Sequence, residues 1–436
     1  MIKLKHALSC AIALSLLSCA SNKSTIDKQL ADRISKDDRL QKIEKMAEDL
    51  VSTGLTAGDG YGEVWIRDLN SFIELATKVN GKKATSDALV MFFNFQGKDG
   101  NIPDGYIPKD KANIGYKYQN SELAPTLLAH KNTVETDQES SLIQAISRYV
   151  KYTGERELLD RVVDGKTVMN RMHDALQYLL DHRYNKQYGL LWGATTVDWG
   201  DVQPEHPWGV ELDSSSHPAI DIYDNAMFVI AINDYLSLLD ESDKTAYWTT
   251  IKEDITKNTK KHLWDVQRKK YKPHVYLDKG SPFPASLDED AIYYHGGTFT
   301  AIEAGFLTKE EIKEAYATMQ ENVKKSGAPS IGLTVYPPYP NGTFLNKGLG
   351  EYSYQNGGDW TWFGARMVQQ LIKNEMYQEA YESLEPMMDL VLKHNGFYEW
   401  WKIDGEPAGS GMFRGAAGVL WKSVKMFEQQ IKDDKK

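Results

Sequence analysis

The connections between helical segments constrain this chain more than any other feature. Read at the 3.6-residue period, apolar stripes recur over 38–52, 65–80, 84–96, 136–153, 167–183, 221–239, 243–263, 290–305, 309–325, 360–374, 377–394 and 412–430, about twelve segments of helical length. The gaps between them alternate. Short ones fall near 80–84, 154–166, 240–242, 306–308 and 374–377, and long ones at 97–135, 184–220, 264–289, 326–358 and 395–411. Short gaps force neighbouring helices to run antiparallel as hairpins. The pattern therefore predicts an all-α (α/α)6 toroid of six hairpins, with the long loops forming a site at one end. There is no repeat of constant period, which speaks against a solenoid. No Pro-, Gly- or Ser-rich stretch divides 38–430, so a single domain is expected.

Local signals agree. Thr308 with Glu311 three residues on reads as a capping box. Gly154 reads as a helix C-terminal glycine. Residues 332–336 ahead of Pro337-Pro338 read as a short loop strand.

The first 18 residues read as a bacterial lipoprotein signal. Lys3, Lys5 and His6 precede an apolar run over 7–17, and Leu16-Leu17-Ser18-Cys19 makes Cys19 the expected lipidated residue. The run is too short to stay in a bilayer as a spanning helix. Residues 19–37 read as the lipidated cysteine and its tether. Ala20, which is not acidic, points to the outer membrane, on its periplasmic face or at the cell surface. With Cys10 inside the signal, the mature fold has no cysteine for a disulfide or a thiolate metal site.

The formal net charge of −10 disfavours nucleic acid and anionic membrane surfaces as partners. Membrane contact is expected through the lipid alone. The 11 Trp and 24 Tyr are more amphipathic rings than core packing asks for. A pyranose presents an apolar face to such rings and hydroxyls to nearby polar groups, so oligosaccharides or polysaccharide fragments are the expected ligands.

The chemistry-bearing residues fall in long loops or at helix starts. Trp65-Ile66-Arg67-Asp68 opens a helix, with Tyr61 nearby. A first-turn acid can simply cap, but an Arg-Asp pair beside two rings also suits neighbouring sugar hydroxyls. Glu135 and Asp137, followed by Glu139, suit the helix macrodipole as well as a site. Trp192 leads into Asp198-Trp199-Gly200-Asp201, two carboxylates around an indole, with a glycine that lets the backbone approach a ligand. Acids beside an aromatic wall are partly desolvated, which prepares one of them as a general acid. Asp198, Asp201 and Glu205 could also serve calcium, but their spacing is not that of an EF-hand, and no metal or other cofactor is expected. His206 and His217 lack the close spacing of a metal pair and read as surface or supporting residues. Asn356-Gly357-Gly358-Asp359-Trp360-Thr361-Trp362 opens another helix, where Asp359 is either an N-cap or part of a ligand wall. Glu399 sits among Phe397, Tyr398, Trp400 and Trp401.

At these residues the chain resembles the six-hairpin glycosidases, above all their glucoamylase and glycogen-debranching α-glucosidase branch. The resemblance runs from about Tyr61 to Phe427 and rests on motif order. It implies that Arg67 and Asp68 hold a terminal sugar, that Asp201 is the general acid and that Glu399 is the general base. The helix from Glu135 through Tyr149 to Gly154 and the Gly-rich element at 356–360 are similar to further family elements. Three positions depart from the pattern: Gly200 stands where Met is usual, Tyr398 replaces a proline, and Asp359 is an extra acid. The base therefore stays open between Glu399 and Asp359.

The expected activity is exo hydrolysis of α-type linkages with inversion, the two carboxyls standing about 6.5–9.5 Å apart, and Trp65, Trp199, Trp360 and Trp400 serving as ring platforms. Two alternatives use other chemistry. A polysaccharide lyase or unsaturated uronyl hydrolase on the same ring needs cations, for which Arg366, Arg414 and His295 are available. A non-catalytic glycan-binding lipoprotein needs the rings without opposed acids.

Overall fold

The computed structural model describes residues 25–112, 115–240 and 243–434. The signal segment and Cys19 lie outside the described residues. Fourteen helices are found among the described residues: α1 (Lys28–Lys36), α2 (Asp38–Val51), α3 (Ile66–Asn80), α4 (Lys82–Phe93), α5 (Gln138–Thr153), α6 (Glu157–Asp160), α7 (Val168–His182), α8 (Ile222–Leu238), α9 (Asp243–His262), α10 (His295–Glu303), α11 (Lys309–Ser326), α12 (Thr361–Lys373), α13 (Tyr377–His394) and α14 (Arg414–Asp434).

Twelve of these form the ring. Helices α3, α5, α8, α10, α12 and α14 pack each against the next, and α14 closes onto α3. Helices α2, α4, α7, α9, α11 and α13 surround them, each joined to inner neighbours by the chain. Sequence sets which helix goes where. Inner α8 is apolar nearly all round and buries residues on every face, as an enclosed helix must. Outer α11 buries only Ile312, Ala315, Met319 and Asn322, a single stripe at three- and four-residue spacing.

The inner helices all run in one direction. The C-terminal ends of α3, α8, α10 and α12 meet the next outer helix through short turns, of which Gly81 is a one-residue example with φ 87°, while α5 reaches α7 through α6 and a small hairpin. The N-terminal ends of the inner helices receive the long loops, so these gather at one end, here called the mouth. The opposite end is the rear. The Thr308–Glu311 capping box and the left-handed Gly154 both form. The short strand lies at Val335–Tyr336, antiparallel to Tyr293–Tyr294. No helix among the described residues is long and apolar enough to cross a membrane.

Two boundaries differ from expectation. Residues 28–36, read as tether, form α1, because Leu30 and Ile34 sit on one face and bury with Ile26. Asp27 caps that helix by accepting from the Gln29 and Leu30 N–H groups. At the other end, α14 continues past 430 to Asp434, with Ile431 buried.

Candidate active site

A cavity of about 340 Å3 opens at the mouth. Its walls come from loops far apart in sequence. One wall is a small antiparallel sheet of β1 (Val64–Trp65), β2 (Gly105–Pro108) and β3 (Leu127–His130). This sheet sets Trp65 and Asp104 at the rim and runs directly into α3, which carries Arg67 and Asp68 on its first turn. Four carboxylates line the cavity, Asp68, Asp104, Asp201 and Glu399, against one cation, Arg67. The indoles of Trp65, Trp199, Trp208, Trp360 and Trp362 supply apolar faces.

Glu399 is only 5% exposed. Its Oε1 accepts from the Tyr61 hydroxyl at 2.9 Å and its Oε2 from the Ser410 N–H at 2.8 Å. It enters a hairpin between Trp400–Trp401 and Pro407–Ala408, and the turn back brings Gly409 against it. Gly409 has φ 71°, and a Cβ there would lie 2.4 Å from Glu399 Oε2, so the backbone can come this close only at glycine. Burial pushes the Glu399 carboxyl up, while the Ser410 and Tyr61 donors pull it part of the way back.

Asp201 comes from the loop after Trp199. Gln355 Nε2 donates to its Oδ1 at 3.2 Å. The glycine before it faces the protein and not a ligand: a Cβ on Gly200 would meet Gln355 Oε1 at 2.6 Å. Asp201 and Glu399 thus reach one cavity from loops 198 positions apart in the chain (399 − 201), and each is felt electrostatically by Asp68.

Arg67 is fixed before any ligand arrives. Its Nε and Nη2 donate to the two oxygens of Asp137 at 2.7 and 3.1 Å, and Glu135 lies 3.8 Å away. Tyr223 donates its hydroxyl to Asp137 at 3.0 Å. Glu135 and Asp137 therefore hold Arg67 and do not line the cavity themselves. Burial pushes Asp68 up to about 7 although Arg67 draws it down, and burial likewise pushes Asp104 up to about 7.

Several expected residues stand elsewhere. Asp359 is 0% exposed and does not reach the cavity. Its oxygens accept from the Ser330 N–H at 2.7 Å and the Ser330 hydroxyl at 2.8 Å, which makes it a structural clamp and removes it as the base. Asp198 is buried behind Trp199 and accepts from the Gly297 N–H at 2.8 Å, at the start of α10. Trp401 is a core residue whose Nε1 donates to Thr361 at 3.0 Å. Trp192 lies under the Arg183 guanidinium, 4.8 Å from its ring centre. Trp400 packs edge-on to Tyr354, 6.5 Å between ring centres, and does not line the cavity. His217 pairs with Glu205, and His206 contacts Ser215 at 2.9 Å. The cations a lyase would need are also away from the cavity. Arg366 binds Glu303 at 3.0 Å, Arg414 binds Thr53 at 2.7 Å, and His295 is buried beside Asn322, its pKa drawn down to about 3 by burial.

The sequence reading missed Asp104, Tyr116, Trp208, Tyr354 and Gln355. Asp104 sits in Pro103-Asp104-Gly105, which reads as a plain turn. Tyr116 stacks on His130 at 3.9 Å and on Trp208 at 5.3 Å. This three-ring pile at the rim joins two long loops, and Trp208 keeps 55% of its surface exposed. The aromatic surplus was the only sequence signal for it.

No family model matches the chain, and no curated protein does either. Solved structures do. Crystal structures of the GH63 mannosylglycerate hydrolase from Thermus thermophilus match with 14% identity over 87% of this chain. The one in complex with glucose is covered over 99% of its length with a TM-score of 0.62. The one in complex with Tris and D-glycerate is covered over 100% with a TM-score of 0.63. A rhamnosidase from Klebsiella oxytoca with rhamnose bound matches at 12% identity and a TM-score of 0.56, over 88% of this chain and 63% of that one. The fold is that of the six-hairpin glycosidases. At these identities the likeness fixes the six-hairpin ring and does not single out the glucoamylase branch.

Proposed function

We propose that this chain is a glycoside hydrolase that removes a neutral sugar from the non-reducing end of an oligosaccharide, acting on an α-linkage with inversion. The observation that carries the reading is the delivery of Asp201 and Glu399 into one indole-lined cavity. The fold it shares with solved glycosidases adds weight. In this reading Asp201, protonated, donates its proton to the glycosidic oxygen as that bond breaks. Glu399, ionised, takes a proton from a water that attacks the anomeric carbon on the opposite face. Two donors aimed at Glu399 favour its ionised form, and burial makes it a stronger base than a free carboxylate. Arg67 and Asp68 grip the sugar's hydroxyls, and Trp65, Trp199, Trp360 and Trp362 form the apolar walls.

Charge narrows the substrate. Four acids face one guanidinium that is already bonded to Asp137. A uronate entering this cavity would meet net negative charge, which supports a neutral glycan over the lyase or unsaturated uronyl hydrolase reading. No cofactor takes part. Cys19 is proposed as the lipid anchor of an outer-membrane protein, on the periplasmic face or at the cell surface.

The test is a panel of α- and β-linked oligosaccharides followed by proton NMR of the first-formed anomer. A terminal neutral monosaccharide released with inverted configuration is expected. A retained anomer would overturn the opposed acid–base pair, and a 4,5-unsaturated product would make the chain a lyase. Saturable glycan binding without any product would leave only the non-catalytic binding protein.

A further inference from the structure

Toward the rear of the ring lies a second cavity, about 360 Å3 in volume, that shares no lining residue with the mouth. All six inner helices contribute to it: α5, α8 and α10 toward their C-terminal ends, α12 from Arg366 to Lys373, α3 over 70–75 and α14 over 418–426. Its charge is the reverse of the mouth's. Five cations line it, Arg148, Lys151, Arg366, Lys373 and Lys422, against three carboxylates, Glu74, Asp234 and Glu303.

Four of the cations are matched. Arg148 and Arg366 share Glu303, at 3.3 and 3.0 Å, Lys151 pairs with Asp234 at 2.6 Å, and Lys422 pairs with Glu74. Lys373, the last residue of α12, has no ion pair among the described residues. Its side chain is exposed at the edge of the cavity, and its ammonium feels Glu303 on one side and the like charges of Arg148, Lys422 and Arg366 on the other. Glu303 is already shared by two guanidinium groups, and the cavity holds two more cations than carboxylates, so an added anion would enter a net positive field. We propose that the rear cavity binds a small oxyanion of the phosphate class, with Lys373 as its direct partner. This site is independent of the glycosidase reading, since no residue of the mouth takes part.

The anion can be a free phosphate-bearing molecule or the headgroup of a lipid. The chain's N-terminal end comes to this face: the Ile26 N–H donates to Asp434, at the rear end of α14, at 2.8 Å. Ile26 lies seven chain steps after Cys19, a reach of at most about 25 Å. An anchor on Cys19 would therefore hold the rear toward the membrane and turn the mouth away from it.

Inorganic phosphate titrated calorimetrically into the mature chain at fixed ionic strength tests the site. One saturable site per chain is expected, with affinity about tenfold lower in Lys373→Met, the cost of one charge-assisted contact. Lys422→Met should weaken it as well, Asp201→Asn should leave it unchanged, and Lys373→Met should hydrolyse glycan like the wild type. Sedimentation with phosphatidylglycerol vesicles then separates the sources. Binding lost in Lys373→Met assigns a lipid headgroup, and phosphate binding without vesicle binding assigns a free anion. Absence of saturable phosphate binding, or equal affinity in wild type and both lysine variants, would overturn the proposal.

Discussion

The two ends of the ring are built from the same six helices and carry opposite charge. At the mouth, four carboxylates face one arginine. At the rear, five cations face three carboxylates. What differs is the source of the side chains. The rear is lined from the helices themselves, and all but one of its cations are paired. The mouth is lined mainly from long loops, and Asp68, Asp104 and Glu399 are all pushed up by burial. Acids raised together in one cavity are what a reacting site requires, and they support placing the proposed chemistry at the mouth.

Substitutions that separate rate from stability test that contrast most strongly. Glu399→Gln and Asp201→Asn should each lower turnover about 10²–10⁴-fold, the usual contribution of a general acid or base. Both should fold normally. An amide at 399 can still accept from the Ser410 N–H and donate to Tyr61, so a circular dichroism melt should barely move. Near-normal turnover in either variant would remove that residue from the mechanism.

The rear should answer in the opposite way. Glu303 accepts from both Arg148 and Arg366. Glu303→Gln leaves two partly buried guanidinium groups without their counter-charge and should cost about 3 kcal/mol of stability, since breaking a buried pair strands a charge. Urea denaturation measures the loss, and turnover per folded molecule should stay unchanged. A loss of turnover without a loss of stability would mean that the two ends are coupled.

The ring and its mouth were unequally legible in the sequence. Helix boundaries fell within a few residues for most of the twelve segments, because the inner–outer alternation writes itself as broad or narrow apolar stripes. Asp201, Glu399, Arg67 and Asp68 stood out because rings and glycine cluster around them. Asp359 stood out for the same reason, and yet those neighbours bury it on Ser330. Local sequence reports that a carboxylate is surrounded by rings but not whether it points into a cavity or a core. Asp104 and Trp208 carried no local signal at all, because their partners, His130 and Tyr116, arrive through the sheet and loops.

The pH dependence of stability should also run in opposite directions at the two ends. Burial opposes the charge on Glu303, but Arg366, Lys373 and Arg148 outweigh it and hold the carboxyl at about 2, below its ordinary 4.5. Its stabilisation is present above pH 4.5 and is lost as pH falls toward 2. Asp68 and Asp104 are raised from 3.8 to about 7. The folded state keeps their protons longer than the unfolded chain, so their contribution is full below pH 3.8 and is lost as pH rises through 7. Melting curves of both variants should therefore differ from wild type most at about pH 8 and least at about pH 3, with opposite sign: Glu303→Gln is the less stable protein and Asp68→Asn the more stable one.

The smallest effect isolates the mouth's surplus charge. Asp104 has His130 Nε2 no nearer than 3.8 Å, and its backbone, not its carboxyl, carries the sheet hydrogen bonds. Asp104→Asn therefore removes a charge while breaking no close contact of the side chain. At pH 8 the wild type carries an ionised carboxylate in a desolvated position, and the amide does not. The variant should be more stable there by roughly 1–2 kcal/mol, reduced from the full shift because the cavity admits water. At pH 4 the wild-type group is already protonated and the two proteins should melt together. A variant no more stable at pH 8 than at pH 4 would mean that the Asp104 carboxyl is not held in a desolvated position.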